Sequence, residues 1–360
     1  MSYHQHLVLL PPNRVWRTYR GGRTLEALAG AAVPVDSSFP EDWVASTTRA
    51  VNIGREAIAE GVSQVQVAGQ NYDLAALVAR DPVYFLGADH VARFGPDLRL
   101  LVKLLDSSIR LHFQVHPTAE FARRFLGSPS GKTEAYHVLA TRPEVAEPCI
   151  YLGFQRPPDR ATLRRLIETQ DIAGIEACFD KVTVQPGDTY LVPGGVPHAL
   201  GEGVFLVEIQ EPSDLVVRFE FERGGYLLPE SARFMNRGLD FCLDLFDFTA
   251  RPLTDVLNHQ RCRPRLERML GPSSREDRLI GPAETSCFGV TKLYLEGETV
   301  VRDSTSASIL IVTSGEVTLR TARGSHRLHR YDKVFLPAGL GRLELVPETR
   351  AELLACHPPS

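Results

Sequence analysis

Two tryptophans, three methionines and six cysteines are all that this 360-residue chain has of its scarcest residue types. The cysteines (Cys149, Cys178, Cys242, Cys262, Cys287 and Cys356) never stand in a Cys-x-x-Cys pair, the spacing that zinc ribbons and redox-active dithiols use. They read as free thiols of a reducing compartment. Long apolar runs are missing too. The first reaches only four residues before Pro11, too short for the core of a signal peptide, and nowhere do 18 apolar residues follow one another, so no transmembrane helix is expected. Charge of one sign is also absent. With 40 basic against 44 acidic residues the net charge is -4, and no dense Lys/Arg block offers a footprint for nucleic acid or a membrane surface. These absences leave a cytoplasmic protein, a monomer or homodimer, whose partner is a small molecule.

What the chain does have is turns: 28 glycines and 25 prolines punctuate it, and from about Leu98 onward they separate short β-rich runs. The fold class expected is mainly β with a minority of helices. Three segments read as helices: residues 71–80, rich in Ala and Leu; residues 160–169, after a Pro-Pro-Asp start; and residues 230–245, where the apolar period is helical. Residues 251–282, with Pro252, Pro264, Pro272 and Pro282, read as a connection between two β units.

The two units repeat a pattern. Gly187-Asp188-Thr-Tyr-Leu-Val-Pro193-Gly-Gly195-Val-Pro-His198 is matched by Tyr331-Asp332-Lys-Val-Phe-Leu-Pro337-Ala-Gly339-Leu-Gly-Arg342, at a constant offset of 144 residues (332 − 188). An Asp at a turn, a short apolar strand and a Pro-x-Gly corner resemble a motif of the cupin jelly roll. The resemblance implies two cupin-like jelly-roll β-barrels: a catalytic region with helical additions over residues 1–250, the connection, and a degenerate copy over residues 283–360. The second copy has Arg342 where the first has His198, so a metal is expected only in the first.

In Leu111-His112-Phe113-Gln114-Val115-His116-Pro117, strand alternation turns His112, Gln114 and His116 to one face, with Gln114 and His116 about 6–7 Å apart. Glu134 after Gly131-Lys132-Thr133 adds a carboxylate, and His198 a second imidazole. Two imidazoles, a carboxylate and an amide oxygen suit zinc, with manganese, cobalt or iron as alternatives.

Gln114-Val-His116-Pro117, Gly131-Lys132-Thr133-Glu134, Pro197-His198-Ala199-Leu200-Gly201, Glu208-Ile-Gln, and Ser213-Asp214 followed by Arg218 resemble, in order, the motifs of type I phosphomannose isomerases; Leu101-Val-Lys103-Leu-Leu-Asp106 is similar as well. The resemblance implies an aldose-ketose isomerase that interconverts mannose 6-phosphate and fructose 6-phosphate through a cis-enediol. It implies one zinc ion per chain on Gln114, His116, Glu134 and His198. Arg218 and Lys132 would carry the chemistry, with Lys103, Glu208 and His112 lining the substrate site. Two departures bear on the substrate: His112 stands where the family commonly has serine, and Thr118 where it has Asp or Asn. An isomerase of a different or unphosphorylated sugar, and a sugar-binding metal cupin without turnover, are the alternatives.

Plainer roles are also expected for several residues. Glu208 reads equally as an ion-pair partner of Arg218, Lys103 as a cation reaching out from a strand edge, Trp43 as core and Arg342 as a surface charge. His4 and His6 are expected to fray with the terminus.

Overall fold

The computed structural model describes residues 3–359. Two sheets form the first unit. One has six strands, in the order Thr189–Val192, Glu134–Thr141, Val204–Gln210, Leu101–Asp106, Glu41–Val44 and Arg14–Val15. The other has five: Lys181–Thr183, Cys149–Leu152, His198–Leu200, Gln114–Val115 and Val217–Arg218. All their pairings are antiparallel.

The strands of the six-stranded sheet are buried on both faces, so their sequences look almost uniformly apolar, yet the period of two sorts them cleanly. Val102 and Leu104, Phe205, Val207 and Ile209, and Ala135 and Leu139 all enter one core, shared with Ile309, Ile311, Phe335 and Leu354 of the C-terminal sheet. Leu105, Leu206, Tyr136 and Val138 point the other way, onto Ile150, Leu152, Val182 and Leu200 of the five-stranded sheet. Lys103, Glu208 and Glu134 occupy that same inward face further along their strands, where the apolar filling stops and the pocket begins. The outer face of the five-stranded sheet, with Phe113, Val115, Val217 and Phe219, is covered by the helix Arg160–Thr169 through Leu163, Leu166 and Ile167.

The C-terminal sheet has eleven strands, dominated by the long Ser308–Thr321 and Gly341–His357. The repeat is reproduced atom by atom. Val138 N donates to Asp188 O (2.9 Å) and Gly187 N to Val138 O (2.8 Å); Val312 N donates to Asp332 O (3.0 Å) and Tyr331 N to Val312 O (2.7 Å). Gly187 (φ 93°) and Tyr331 (φ 71°) both hold the left-handed backbone that this turn needs, which glycine adopts freely and tyrosine only under constraint.

Several local expectations need correction. Helix 71–80 starts only at Leu74, with Asp73 capping Ala76 N, because residues 70–73 extend a hairpin with Gln64–Val67. Helix 160–169 is present with those bounds, its Asp159 cap accepting from Thr162 N. Residues 230–245 are mostly irregular: a 3-10 turn over Glu230–Ala232 and a single helical turn and a half over Leu239–Leu243, where Gly238 (φ 80°) interrupts. Residues 251–282 hold two strands, Arg265–Met269 and Arg275–Ile280, that pair into the C-terminal sheet. The N-terminal residues are divided between the sheets: Arg14–Val15 and Glu41–Val44 join the first unit, whereas Val8–Leu9 pairs with Lys333–Leu336 in the C-terminal sheet. His4 is not frayed, since its ring stacks on Tyr84 and its Nε2 lies 3.0 Å from Asp81.

Candidate metal centre and active site

Strand register assembles the site. His198, Gln114 and Arg218 lie directly opposite one another on three neighbouring strands of the five-stranded sheet. Across the barrel, Trp43, Lys103, Glu208 and Tyr136 form a matching row on four strands of the six-stranded sheet. The regular strand expected over residues 111–117 is confined to Gln114–Val115, and His116 sits just beyond it. There the Pro193-Gly-Gly corner secures it: Gly195 N, at φ 88°, donates to His116 O (2.7 Å), joining the two histidine-bearing segments.

His116, Glu134 and His198 present one ligand atom each within 4.8 Å of one another, all buried. His116 Nδ1 lies 2.9 Å from Leu215 O and His198 Nδ1 2.9 Å from Val196 O. Each ring therefore carries its proton on Nδ1 and turns an Nε2 lone pair toward the carboxylate, the arrangement in which a backbone carbonyl orients an imidazole ligand. The Nε2 atoms of His116 and His198 are 3.3 and 3.5 Å from the Glu134 oxygens, and Glu134 Oε1 makes no hydrogen bond of acceptable geometry. Burial, with Lys132 next, pushes His116 down to about 3, so the ring is neutral. Burial opposes the Glu134 carboxylate, but Lys132 foremost holds it well below its ordinary range. Three electron-pair donors converging out of water repel one another unless a cation stands among them, so the set fits a divalent metal. Lys132 Nζ supplies positive charge here, 2.8 Å from Glu134 Oε1 and 3.2 Å from His116 Nε2. The Gln114 amide adjoins the set, its nitrogen 3.2 Å from His198 Nε2; turning the amide over offers the oxygen instead.

The remaining expected residues share one pocket: Lys103, His112, Lys132, Glu208, Gln114 and Arg218 all line it. Lys103 is no edge residue. It is central and buried, 2.6 Å from Glu208 and 3.9 Å from Glu41. Burial disfavours its ammonium, yet Glu208 and Glu41 together hold its pKa above the ordinary value. Glu208 consequently pairs with Lys103 and not with Arg218, because the register seats Lys103 directly opposite it. Burial and Glu134 raise the Glu208 pKa. Arg218 alternates against the buried Val217 and Phe219 as expected, and its guanidinium makes no hydrogen bond or ion pair among the described residues; burial and Arg17 push it down to about 10. His112 is buried, with Nδ1 3.0 Å from Glu220 O and Nε2 without a partner among the described residues. Burial, and Arg218 after it, lower this ring to about 3, so it faces the pocket as a neutral acceptor.

Three further residues, Arg17, Tyr19 and Glu41, line the pocket without any motif that marks them as parts of a site. Arg17 clamps Asp214 (2.9 Å) and Glu41 (3.3 Å), and Tyr19 Oη donates to Glu41 Oε1 (2.6 Å). Trp43 is core, as expected, but its Nε1 also donates to Glu41 (2.6 Å) and its face lies 5.2 Å from Lys103 Nζ. Asp214 stands within a recognisable motif that assigns it no role; Arg17 stands far from every motif, at a spacing no pattern announces. Arg342 is a surface charge as read, near Glu344.

No protein-family model matches the chain. Mannose-6-phosphate isomerase ManA of Bacillus subtilis is 25% identical over 265 residues, 73% of this chain and 76% of that protein. GmuF of the same organism, a probable mannose-6-phosphate isomerase, is 31% identical over 226 residues, 61% of this chain and 62% of that protein. The chain is a homologue of the mannose-6-phosphate isomerases. The likeness to solved mannose-6-phosphate isomerases extends over the whole fold. The B. subtilis enzyme aligns with a TM-score of 0.75 at 20% identity, covering 98% of this chain and 99% of that one. A mannose 6-phosphate isomerase bound with zinc and yttrium aligns with a TM-score of 0.66 at 16% identity, covering 99% of both chains. At those identities the structural likeness establishes the mainly β, cupin-type architecture. Among the described residues no helix is long and apolar enough to cross a membrane.

Proposed function

We propose that this chain is a mannose-6-phosphate isomerase, interconverting mannose 6-phosphate and fructose 6-phosphate in the cytoplasm with one zinc ion per chain. The observation that carries the reading is the convergence of His116, His198 and Glu134 next to a pocket lined by Gln114, Lys132 and Arg218, whose guanidinium has no partner among the described residues. Gln114, His116, Glu134 and His198 would hold the ion, which when bound supplies a Lewis acid for the sugar's carbonyl oxygen.

Moving a carbonyl between C1 and C2 needs a proton taken from one carbon and returned to its neighbour, through an enediolate whose charge must be held. The Arg218 guanidinium, without a protein partner, is free to bind that developing charge. Lys132 and Glu208 are the groups placed to carry the proton, each buried and each next to an oppositely charged partner that fixes its position. His112 Nε2 accepts a hydrogen bond from a sugar hydroxyl, the one partner type that a neutral imidazole nitrogen lacks here. The buried walls exclude water, which strengthens each of these contacts. Six free cysteines among the described residues accord with a reducing compartment.

The test is ketose formation by zinc-loaded protein from mannose 6-phosphate and, separately, from free mannose, with a chelator-treated control. Chelator-sensitive conversion of the phosphorylated sugar is expected. Conversion of free mannose alone would transfer the reading to an unphosphorylated substrate, and conversion of neither would overturn it.

A further inference from the structure

The C-terminal jelly roll holds a cavity of about 290 Å³, near the lower end of the range for small-molecule sites. Its position can be fixed by register. In the first unit Leu206 lies opposite Val138 and Leu105; in the second Leu353 lies opposite Val312 and Leu293. Stepping along the same strands sets Thr291 at the place of Lys103, His357 at that of Gln210, and Ser308 at that of Glu134. Glu276 opposes Leu293 as Glu41 opposes Leu105. Arg342, at the place of His198, opposes Asp303 as His198 opposes Gln114, and two residues further Thr305 takes the place of His116.

Thr291, His357, Ser308, Glu276, Asp303 and Thr305 all line that cavity. The degenerate unit has therefore kept the pocket of the catalytic unit, with hydroxyls in place of His116 and Glu134 and with Asp303 and Arg342 in place of Gln114 and His198. The new lining is organised. Thr291 Oγ1 donates to Glu276 Oε1 (2.8 Å) and lies 3.1 Å from His357 Nε2, while Arg268 Nε donates to Glu276 Oε2 (2.7 Å). With Glu276 engaged on both oxygens, Arg302 stands out: it lines the same cavity and its buried Nη1 has no partner among the described residues. A buried guanidinium nitrogen left unpaired costs roughly 1–3 kcal/mol or more, a penalty that an oxyanion removes and a neutral apolar ligand does not.

We propose that this cavity is a second, non-catalytic site for a small hydroxylated oxyanion of the sugar-phosphate class, with Arg302 on the anionic group and Thr291, Thr305 and Ser308 on hydroxyls. The class of ligand rests on the proposed function; the cavity and its unpaired arginine do not. The experiment counts sites by equilibrium dialysis of labelled fructose 6-phosphate against the zinc-loaded chain, the Arg302→Gln and Thr305→Trp variants, and Arg218→Ala. Thr305 is exposed at the rim, so its substitution closes the mouth without disturbing the core, should Arg302→Gln fold poorly. Two sites per chain are expected, one weakened at least tenfold by either C-terminal substitution and retained in Arg218→Ala. A single site lost in Arg218→Ala and unaffected by the C-terminal variants would overturn this proposal and leave the isomerase reading standing. A single site with the opposite pattern would uphold the cavity and count against that reading, and no binding at all would overturn the proposal.

Discussion

Removing Lys103 tests how the pocket balances its charge. Three buried cations (Arg17, Lys103, Lys132) and the half-buried Arg218 face four carboxylates (Glu41, Glu134, Glu208, Asp214) around it. At the 2.6 Å separation of Lys103 and Glu208, with an effective dielectric of about 20, the attraction is roughly 6 kcal/mol. Desolvating two ions costs several kcal/mol each, so the intact pair contributes little net stability. Half a pair is different. Lys103→Met leaves Glu208 and Glu41 without that cation, an imbalance expected to cost about 3–5 kcal/mol, whereas Lys103→Met with Glu208→Met is expected to restore stability to within about 1 kcal/mol of the native chain. Urea unfolding followed by tryptophan fluorescence measures both. The pH dependence supplies a second check. Glu208 already has a raised pKa, and losing Lys103 raises it further, so the folded single variant binds a proton that the unfolded chain releases at lower pH. Its deficit is therefore full above the raised folded pKa and shrinks as pH falls through it. Equal stability of the single and double variants at neutral pH would refute the reasoning.

Other expectations follow from the same geometry. His116→Ala and Glu134→Ala should each lose bound metal, read by elemental analysis, together with turnover, while Arg218→Ala retains metal and loses about 10²–10³ in kcat. Asp214, whose burial is outweighed by Arg17, has a depressed pKa; it stabilises the fold above the unfolded value near 3.9 and loses that contribution as pH falls below it, so Asp214→Asn should flatten the acid limb of the stability curve. Glu220 accepts from Arg110 (2.5 Å) and from Phe113 N (3.1 Å) in the core beneath His112, and Glu220→Ala should cost about 3–5 kcal/mol in the same urea assay. His112→Ser should leave stability within about 1 kcal/mol, since His112 makes a single hydrogen bond, and shift KM for the sugar more than kcat.

What could be read from the chain was what short stretches encode. His112, Gln114 and His116 fall on one face because alternation is a local property, and the helix over residues 160–169 was legible because its Asp159 cap lies beside it. The repeat was legible because both copies reuse the Asp, the apolar strand and the Pro-x-Gly corner, although the left-handed residue before the Asp is glycine in one and tyrosine in the other. Hidden were the contacts set by non-local pairing. That Lys103 meets Glu208 depends on a ladder 105 residues apart, and that Arg17 closes the pocket depends on Asp214, 197 residues away. Residues 251–282 concealed two strands because Arg265–Met269 is exposed along its length and shows no apolar alternation. The divided loyalties of the first 97 residues could not be seen at all, since the strands they join are made elsewhere.

That division has a consequence for how the protein is made. Val8 pairs with Phe335 and Leu9 with Val334, so this strand has its partner 327 residues later (335 − 8). At roughly 5–20 residues per second it waits about 15–65 s, its edge open on that side, until its partner has been synthesised. The C-terminal sheet is thus completed by a strand from far upstream: a fragment without residues 8–9 lacks the strand that covers its Lys333–Leu336 edge, and a chain that stops before residue 333 has nothing for Val8–Leu9 to join on that side.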